Sequence, residues 1–185
     1  MNNFYGKSKM IEKNSIALIG FMATGKSEVG KALAEKLGEP YEFIEMDELI
    51  EHQVGKPIHR IFSENGEIRF RELEIATCKK LSEMKKKIIS CGGGVVLNKI
   101  NMDYLKKNCI IILLTASKEE IYRRIMKDGK EIRPKINKPN VKKEIEELLS
   151  FRKPFYLAYA DYQIDTTNKT VDEIVDLILK KTKIK

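Results

Sequence analysis

The chain has few of the residues on which several protein classes depend. It has only three cysteines, with no C-x-x-C spacing, so one would stay unpaired in any disulfide scheme. Free thiols in a reducing compartment are the simplest interpretation, and we therefore expect a cytoplasmic protein. The two histidines, His52 and His59, are too few and wrongly placed for a metal site; we expect both on solvated helix faces and assign them no chemistry.

Long hydrophobic runs are also missing. No apolar segment is long enough to cross a bilayer, so we expect no membrane partner. Residues 1–14 are polar and lack the apolar stretch of a signal peptide, and we interpret them as an N-terminal extension. The 185 residues, 42% of them hydrophobic, are enough for one core and too few for two. With no repeats or linkers, we predict a single domain over 1–185.

Acidic residues are fewer than basic ones, which leaves a formal net charge of +8. The excess lysines are scattered among acidic residues and fall near the ends of expected helices, where they complement the helix dipole. They are not interleaved with aromatic residues, as a nucleic-acid stacking surface would require. We therefore expect a solvated surface and no nucleic-acid partner, with a positive field that attracts anionic nucleotides and acids.

The most informative segment is G-F-M-A-T-G-K-S at 20–27, which fits the phosphate-binding pattern G-x-x-x-x-G-K-[ST]. An apolar run of strand length precedes it, and apolar residues at helical spacing follow it. In an arrangement of strand, glycine loop and helix, backbone N–H groups and the N-terminus of the helix point towards a bound polyphosphate. Lys26 would reach the β- and γ-phosphates, and the Ser27 hydroxyl would ligate Mg²⁺. The segment predicts that the chain binds a nucleoside triphosphate.

Strand-like and helix-like segments alternate along the whole chain. The expected strands are 15–19, 41–44, 87–91, 109–114 and 162–164, and the most apolar of them, 109–114, is the candidate central strand. The expected helices are 29–37, 47–54, 67–84, 98–108, 117–127, one from 141 towards Pro154, and one opened by a capping box at 170–173. This alternation predicts an α/β protein with three layers, in which a five-stranded parallel sheet has helices on both faces.

Six elements occur in a fixed order along the chain. They are the phosphate-binding loop; E-M-D-E-L-I-E at 45–51; I-F at 61–62 with G-E at 66–67 and F-R-E-L-E at 70–74; S-C-G-G-G-V-V at 90–96; R-P at 133–134; and F-R-K-P-F-Y at 151–156. In this order and at these separations they resemble the shikimate kinases over nearly all of 15–180. The resemblance implies a P-loop kinase fold related to nucleoside monophosphate kinases. It also implies ATP- and Mg²⁺-dependent phosphorylation of the 3-hydroxyl of shikimate by a monomer.

On the acceptor side, the resemblance implies that Asp47 hydrogen-bonds the substrate hydroxyls and acts as the catalytic base. It assigns the substrate carboxylate to Arg71 and Arg152, whose planar guanidinium groups can grip a carboxylate through two parallel hydrogen bonds. It assigns backbone donors to a glycine loop formed by Gly92, Gly93 and Gly94.

Each of these assignments has a plainer alternative. Asp47 could cap the following helix. Arg71 could pair with Glu67 and Glu74 at helical spacing. Arg152 could be an exposed cation, and the three glycines could form no more than a flexible turn.

On the nucleotide side, the resemblance implies ATP contacts from Gly20, Ala23, Thr24, Gly25, Lys26, Ser27, Glu28, Arg124 and Arg133. Arg133 lies in a polar segment, 128–140, that suits a lid closing over ATP, and it would join Lys26 and Asp47 as a catalytic residue. Arg123 and Arg124 both lie where the family places an adenine-stacking arginine, and we prefer Arg124. The expected metal ligands are Ser27 and Glu45, with Ser90 supporting them.

The chain departs from the family pattern in a few places. Glu45 stands where an aspartate is usual, which leaves its part in the metal site open, and Thr24, Glu28 and Lys135 are also atypical. Three alternatives follow. The chain could be a P-loop kinase of another small hydroxy acid such as gluconate, a nucleotide kinase, or a non-catalytic nucleotide- or nucleic-acid-binding module.

Overall fold

The computed structural model describes residues 13–128 and 141–184. Its strands are β1 (Ser15–Ile19), β2 (Glu42–Glu45), β3 (Lys87–Ser90), β4 (Cys109–Thr115) and β5 (Tyr162–Asp165). Its helices are α1 (Lys26–Leu37), α2 (Met46–Val54), α3 (Ile58–Ser82), α4 (Lys99–Leu105), α5 (Lys118–Asp128), α6 (Val141–Tyr159) and α7 (Val171–Thr182), with a 3₁₀ turn at Val95–Leu97. Most of the predicted N-terminal extension, and residues 129–140 of the predicted lid, lie outside the described residues.

The strands form one parallel sheet in the order β2-β3-β1-β4-β5. β1 is the middle strand, and β4, the most apolar run, is paired with β1 and β5 and is therefore a central strand, as predicted. Both strands are paired on two sides and covered on two faces, so they require nearly continuous apolar residues. The carboxyl ends of all five strands meet at one edge of the sheet, which is where open α/β sheets bind ligands.

Successive residues of the strands pack against different helices. Ala17 and Ile19 belong to a core shared with α3, α4, α5 and α6. Ile16 and Leu18 belong to a second core shared with α1 and α7. Because neighbouring side chains of a strand point to opposite faces, the sheet lies between two helical layers. The predicted three-layer arrangement is therefore confirmed.

Two helices contain a residue that usually interrupts a helix. Gly66 has non-helical angles (φ 80°, ψ 171°) inside α3, one residue before the expected start of the helix over 67–84. Pro154 lies inside α6, which continues to Tyr159 instead of ending near the proline. A proline removes one backbone donor, but α6 buries Val141, Ile145, Arg152 and Tyr156 on one side, and this packing keeps the helix intact.

The remaining helix boundaries follow their local signals. The capping box of α7 is present, because the Thr170 hydroxyl accepts from Glu173 N and the Glu173 carboxylate accepts from Thr170 N. Asn98 caps α4 by accepting from Ile100 N, although α4 is shorter than the predicted 98–108. Within the described part of the chain, no helix combines the length and the hydropathy that a membrane crossing needs.

Candidate functional site

The phosphate-binding loop joins β1 to α1 at the carboxyl edge of the sheet. Gly20 has φ 144°, and a Cβ there would lie 2.3 Å from the carbonyl oxygen of Leu114, so only glycine fits. Gly25 is the left-handed N-cap of α1. Lys26 Nζ donates to the Phe21 carbonyl at 2.9 Å, which holds the ammonium group over the loop. The loop therefore has the shape and charge that a bound phosphate requires.

Thr24 and Ala23 contribute to the loop in different ways. The Thr24 hydroxyl is buried and donates to the Phe21 carbonyl at 2.8 Å, so it braces the loop from inside and leaves only its backbone for a phosphate. Ala23 has a positive φ of 58° and its carbonyl accepts from Arg124. Their predicted contacts with ATP stay predictions, as does that of Glu28, which borders the cleft.

Three oxygen-bearing side chains meet beside Lys26, at the ends of β2 and β3 and the start of α1. The hydroxyls of Ser27 and Ser90 lie 3.5 Å apart. Burial raises the pKa of Glu45, and hydrogen bonds with these two hydroxyls act in the opposite direction. One oxygen of Glu45, Oε2, is buried and has no hydrogen-bond partner among the described residues.

This corner suits Mg²⁺ better than most other metals. A buried carboxylate oxygen without a donor, next to two hydroxyls, is a set of hard oxygen ligands. No group of three or more histidine, cysteine, aspartate or glutamate residues in 13–128 and 141–184 could hold a metal by itself. Mg²⁺ commonly keeps several waters and binds through one or two protein oxygens plus substrate phosphates, so the incomplete set fits it.

Asp47 is the second residue of α2, directly after β2, and its side chain faces the cleft. Its predicted alternative as a helix cap is wrong, because the N-cap is Glu45 and no side-chain capping bond is present. A Cβ at Gly92 would lie 2.7 Å from Asp47 Oδ1. Burial raises the pKa of Asp47, and Lys26 opposes this. A carboxylate with a raised pKa close to the phosphate lysine has the properties of a general base.

Arg71 extends from α3 towards the glycine loop. Its Nη1 donates to both carboxylate oxygens of Glu74 at 3.0 Å, and its Nη2 donates to Glu67 at 2.9 Å. The pairing that helical spacing predicted is therefore present. A Cβ at Gly94 would lie 2.9 Å from both Nη atoms, so the guanidinium group also lies against the loop. The two interpretations of Arg71 are compatible.

Arg152 extends from α6 and is only 4% exposed, so its predicted alternative as an exposed cation is wrong. Its Nη1 donates to the Gly93 carbonyl at 3.1 Å, and Tyr156 Oη donates to the same carbonyl at 2.6 Å. Burial raises the pKa of Tyr156 to about 12, so its hydroxyl stays a donor. The Nε of Arg152 is buried without a partner in the described part of the chain, although its charge demands one.

The glycine loop brings these groups together. Its three glycines approach three different polar side chains: Gly92 meets Asp47, Gly93 meets Arg152, and Gly94 meets Arg71. A side chain at 92 or 94 would collide with a polar group at 2.7 to 2.9 Å. The loop is therefore a point of close approach rather than a simple flexible turn.

Other residues hold this site together, and of these Asn101 and the role of Tyr156 were missed at the level of sequence. Glu74 is 1% exposed and anchors Arg71, and Asn101 is fully buried and donates to Glu74. Burial raises the pKa of Glu74, while its bonds with Arg71 and Asn101 lower it. The i,i+3 spacing identifies Glu74 as a partner of Arg71, and i,i+4 spacing places Tyr156 beside Arg152. No sequence signal identifies Asn101.

Arg124 lies at the other end of the cleft, beside the phosphate-binding loop. Its guanidinium group donates to the Ala23 carbonyl, to Thr166 and to Glu120 at 2.7 to 3.2 Å. Within 13–128 and 141–184, Arg123 pairs only with Glu120, and its side chain is 66% exposed. The placement of Arg124, rather than Arg123, beside the adenine remains a prediction. The hydrogen bond of Arg124 with the Ala23 carbonyl of the phosphate-binding loop favours this placement. Arg133 lies outside the described residues.

Lys26, Glu45, Asp47, the glycine loop and the arginines at 71, 123, 124 and 152 border one cleft of about 1160 Å³. It extends from Arg123 and Arg124 past Lys26 and Asp47 to Arg71 and Arg152. Phe62 and Phe70, whose ring centroids are 4.7 Å apart, form an apolar part of its wall. Single small-molecule sites reach about 1,000 Å³, so the volume is sufficient for two ligands side by side.

The phosphate loop at one end of the cleft and the paired arginines at the other define a P-loop protein of the small-molecule kinase class. A family model described as shikimate kinase matches residues 22–183. The chain belongs to the shikimate kinase family.

Individual relatives agree with this assignment. A shikimate kinase of Caldanaerobacter subterraneus subsp. tengcongensis is 43% identical over 166 residues, which are 90% of this chain and 94% of that protein. A shikimate kinase of Thermodesulfovibrio yellowstonii is 42% identical over 167 residues, with 90% and 94% covered. A solved structure, shikimate kinase from Acinetobacter baumannii in complex with shikimate, is 31% identical with a TM-score of 0.85, covering 93% of this chain and 94% of that one.

Proposed function

We propose that this chain transfers the γ-phosphoryl group of ATP to the 3-hydroxyl of shikimate. The observation that carries the proposal is the meeting of Asp47, Arg71 and Arg152 at the glycine loop, in the same cleft as Lys26. The relatives named shikimate kinase, and the similar structure with shikimate bound, support this choice of acceptor.

The carboxylate of the acceptor would bind between Arg71 and Arg152. Two guanidinium groups with planar donors match a planar carboxylate, and the buried Nε of Arg152 still has a hydrogen to donate. Backbone groups of Gly92–Gly94 would add contacts with the ring hydroxyls. Small hydroxy acids without a matching ring would leave some of these buried groups unpaired, which disfavours them.

Asp47 would accept the proton of the 3-hydroxyl as its oxygen attacks the γ-phosphorus. A carboxylate whose pKa is raised by burial is a stronger base than an exposed one. Lys26 would neutralise charge on the phosphate oxygens during transfer. The γ-phosphoryl group moves to the acceptor oxygen, the bond to the β-phosphate oxygen breaks, and ADP leaves.

Mg²⁺ would be held by Ser27 and Glu45, with Ser90 bonded to Ser27. When bound, it would offset the negative charge of the phosphate oxygens. The buried Oε2 of Glu45, which has no hydrogen-bond partner among the described residues, supports this assignment.

ATP would lie along the phosphate-binding loop, in contact with Gly20, Ala23, Thr24, Gly25, Lys26, Ser27 and Glu28. Its adenine would lie near Arg124, where a smaller cavity opens beside Thr24 and Asn168. Arg133 of the lid would neutralise charge on the transferred group. We further propose a single-domain cytoplasmic monomer; the three free buried thiols suit a reducing compartment.

The test measures ADP release with ATP, Mg²⁺ and shikimate, and with each component omitted in turn. We expect turnover only with all three, and a loss of about 10²–10⁴-fold in kcat for Asp47→Asn, the range of general-base catalysis. Asp103→Asn, an exposed residue of α4, is the control and should retain activity.

A panel of acceptors separates the alternatives. Stimulation by gluconate or a nucleoside monophosphate but not by shikimate would contradict the proposal. Nucleic-acid binding with a steep salt dependence and no acceptor-dependent turnover would favour a binding module instead.

A further inference from the structure

Asn101 has an unusual position for a polar residue that no step of the reaction uses. It lies in the first turn of α4, and it is fully buried. Its Nδ2 donates to Glu74 Oε2 at 2.9 Å and to the Val95 carbonyl at 3.2 Å. Both partners only accept, so the amide nitrogen must face them. A side-chain amide has two donor hydrogens, and both are used here.

The two bonds of Asn101 connect the two sides of the acceptor site. Glu74 holds Arg71 through both carboxylate oxygens. Val95 follows Gly94, against which the same guanidinium group lies. The amide of Asn101 thus ties α3 to the glycine loop directly behind Arg71. A shift of either partner relative to the other would break one of its bonds.

Packing alone does not explain an asparagine at this position. Its Oδ1 is buried and unpartnered within the described ranges, which disfavours folding. Leucine has the same branching at Cγ and the same number of side-chain heavy atoms, although it is larger, and would occupy the position without that penalty. The position therefore needs the two donors and not the volume.

We propose that Asn101 is a positioning residue that fixes the Glu74 carboxylate, and through it the guanidinium group of Arg71, for the carboxylate of the acceptor. This inference rests on the proposed function, since it concerns the same acceptor. Asn101 touches no substrate; it acts by restricting the rotamers of Glu74 while keeping the glycine loop in register with α3.

The test compares Asn101→Leu with Asn98→Ala in steady-state kinetics. Asn98 caps the same helix through Ile100 N, and its side chain has no hydrogen bond with Glu74 among the described residues, so its replacement weakens α4 and leaves the bonds of Asn101 in place. We expect Asn101→Leu to raise the KM for shikimate about tenfold, because a buried charged partner loses its anchor. Its kcat and its KM for ATP should stay within about twofold of the parent. Asn98→Ala should lower the Tm and leave the KM for shikimate unchanged.

A double-mutant cycle with Arg71→Lys separates positioning from general destabilisation. If Asn101 acts through Arg71, Asn101→Leu should raise the KM much less in the Arg71→Lys background than in the parent. An equal rise in both backgrounds, an equal rise in the KM for ATP, or the same effect from Asn98→Ala would each overturn the inference.

A variant that does not fold, and a parent protein without the proposed function, give results that differ from those of a wrong inference about Asn101. If Asn101→Leu does not fold, Asn101→Ser, which keeps one donor, replaces it, and an unchanged KM for shikimate would then contradict the inference. If the parent protein shows no shikimate-dependent ADP release, the proposed function fails and the inference with it. Normal turnover by the parent with an unaffected variant overturns the inference alone.

Discussion

Arg71 and Arg152 reach the same glycine loop from α3 and α6, but their surroundings differ. Arg71 donates to two carboxylates, and its side chain is 19% exposed. Arg152 is buried, donates to a backbone carbonyl, and forms no ion pair with any described residue. The charge of Arg71 is thus already balanced in place, whereas that of Arg152 is balanced only by more distant groups.

The difference indicates separate roles within one carboxylate-binding site. Arg71 is oriented by Glu74 and Glu67 and gains little net charge neutralisation from a ligand. Arg152 is buried with an unsatisfied Nε, so an incoming carboxylate would supply the counter-charge and the acceptor that it lacks. The pair shows how one site can combine a preorganised donor with a buried cation that favours an anionic ligand.

The sharpest test of this comparison replaces each arginine by lysine. Lysine keeps the charge but loses the planar set of donors. We expect Arg152→Lys to lower kcat/KM for shikimate about 100-fold, or roughly 3 kcal/mol, and Arg71→Lys about tenfold. Steady-state kinetics with shikimate varied at saturating ATP measures both.

Arg69→Lys is the matched control, because Arg69 lies two residues before Arg71 on α3 and, in the part of the chain that the structure describes, pairs only with Glu72 at the surface. It should leave kcat/KM unchanged. A larger loss for Arg71→Lys than for Arg152→Lys would reverse the assignment of roles.

A second test uses pH, because the buried carboxylate of Glu74 is bonded to Arg71, whereas Arg152 has no carboxylate partner among the described residues. Burial raises the pKa of Glu74 above its ordinary value of 4.5. The folded state then binds the proton more tightly than the unfolded state, so the free energy of unfolding falls as pH rises from 4.5 through the raised pKa. Glu74→Gln should reduce this fall, as measured by urea unfolding at several pH values.

Glu45 and Asp47 also have raised pKa values and contribute to the pH dependence in the same direction, so part of it should remain in Glu74→Gln. An unchanged pH dependence in the variant would show that folding does not raise the pKa of Glu74, and would contradict this expectation.

The smallest expected effect comes from Glu67→Gln. Glu67 is 56% exposed, and ion pairs at that exposure are worth about 0–1 kcal/mol. Removing its charge leaves Arg71 less neutralised, so we expect the KM for shikimate to fall by about twofold or less at low salt. Kinetics at two salt concentrations would check this. A rise in KM would instead indicate that Glu67 helps to orient Arg71.

Local patterns predicted the parts of the site that depend on short stretches of chain. The phosphate-binding loop, the α/β alternation and the capping box at Thr170 could be predicted because each is encoded within a few consecutive residues. The pairing of Arg71 with Glu74 followed from helical spacing. The resemblance to shikimate kinases predicted the acceptor-side residues, and they lie together in one cleft.

Features that depend on distant contacts could not be predicted in this way. The burial of Arg152 depends on how α6 packs against the glycine loop, and the continuation of α6 through Pro154 depends on the same packing. The link of Arg124 to Ala23 joins residues 101 positions apart. Asn101 carries no signal in the sequence because both of its partners lie in other segments.

The sequence by itself determined the alternation of strands and helices, the phosphate-binding loop and the types of side chain available for acid recognition, since these follow from local backbone preferences and hydrophobic periodicity. Only the tertiary structure decided which charges are buried, which are neutralised by a neighbour and which stay open to a ligand. These properties depend on solvent exclusion and on distances of about 3 Å between residues far apart in the chain, and no local pattern specifies them.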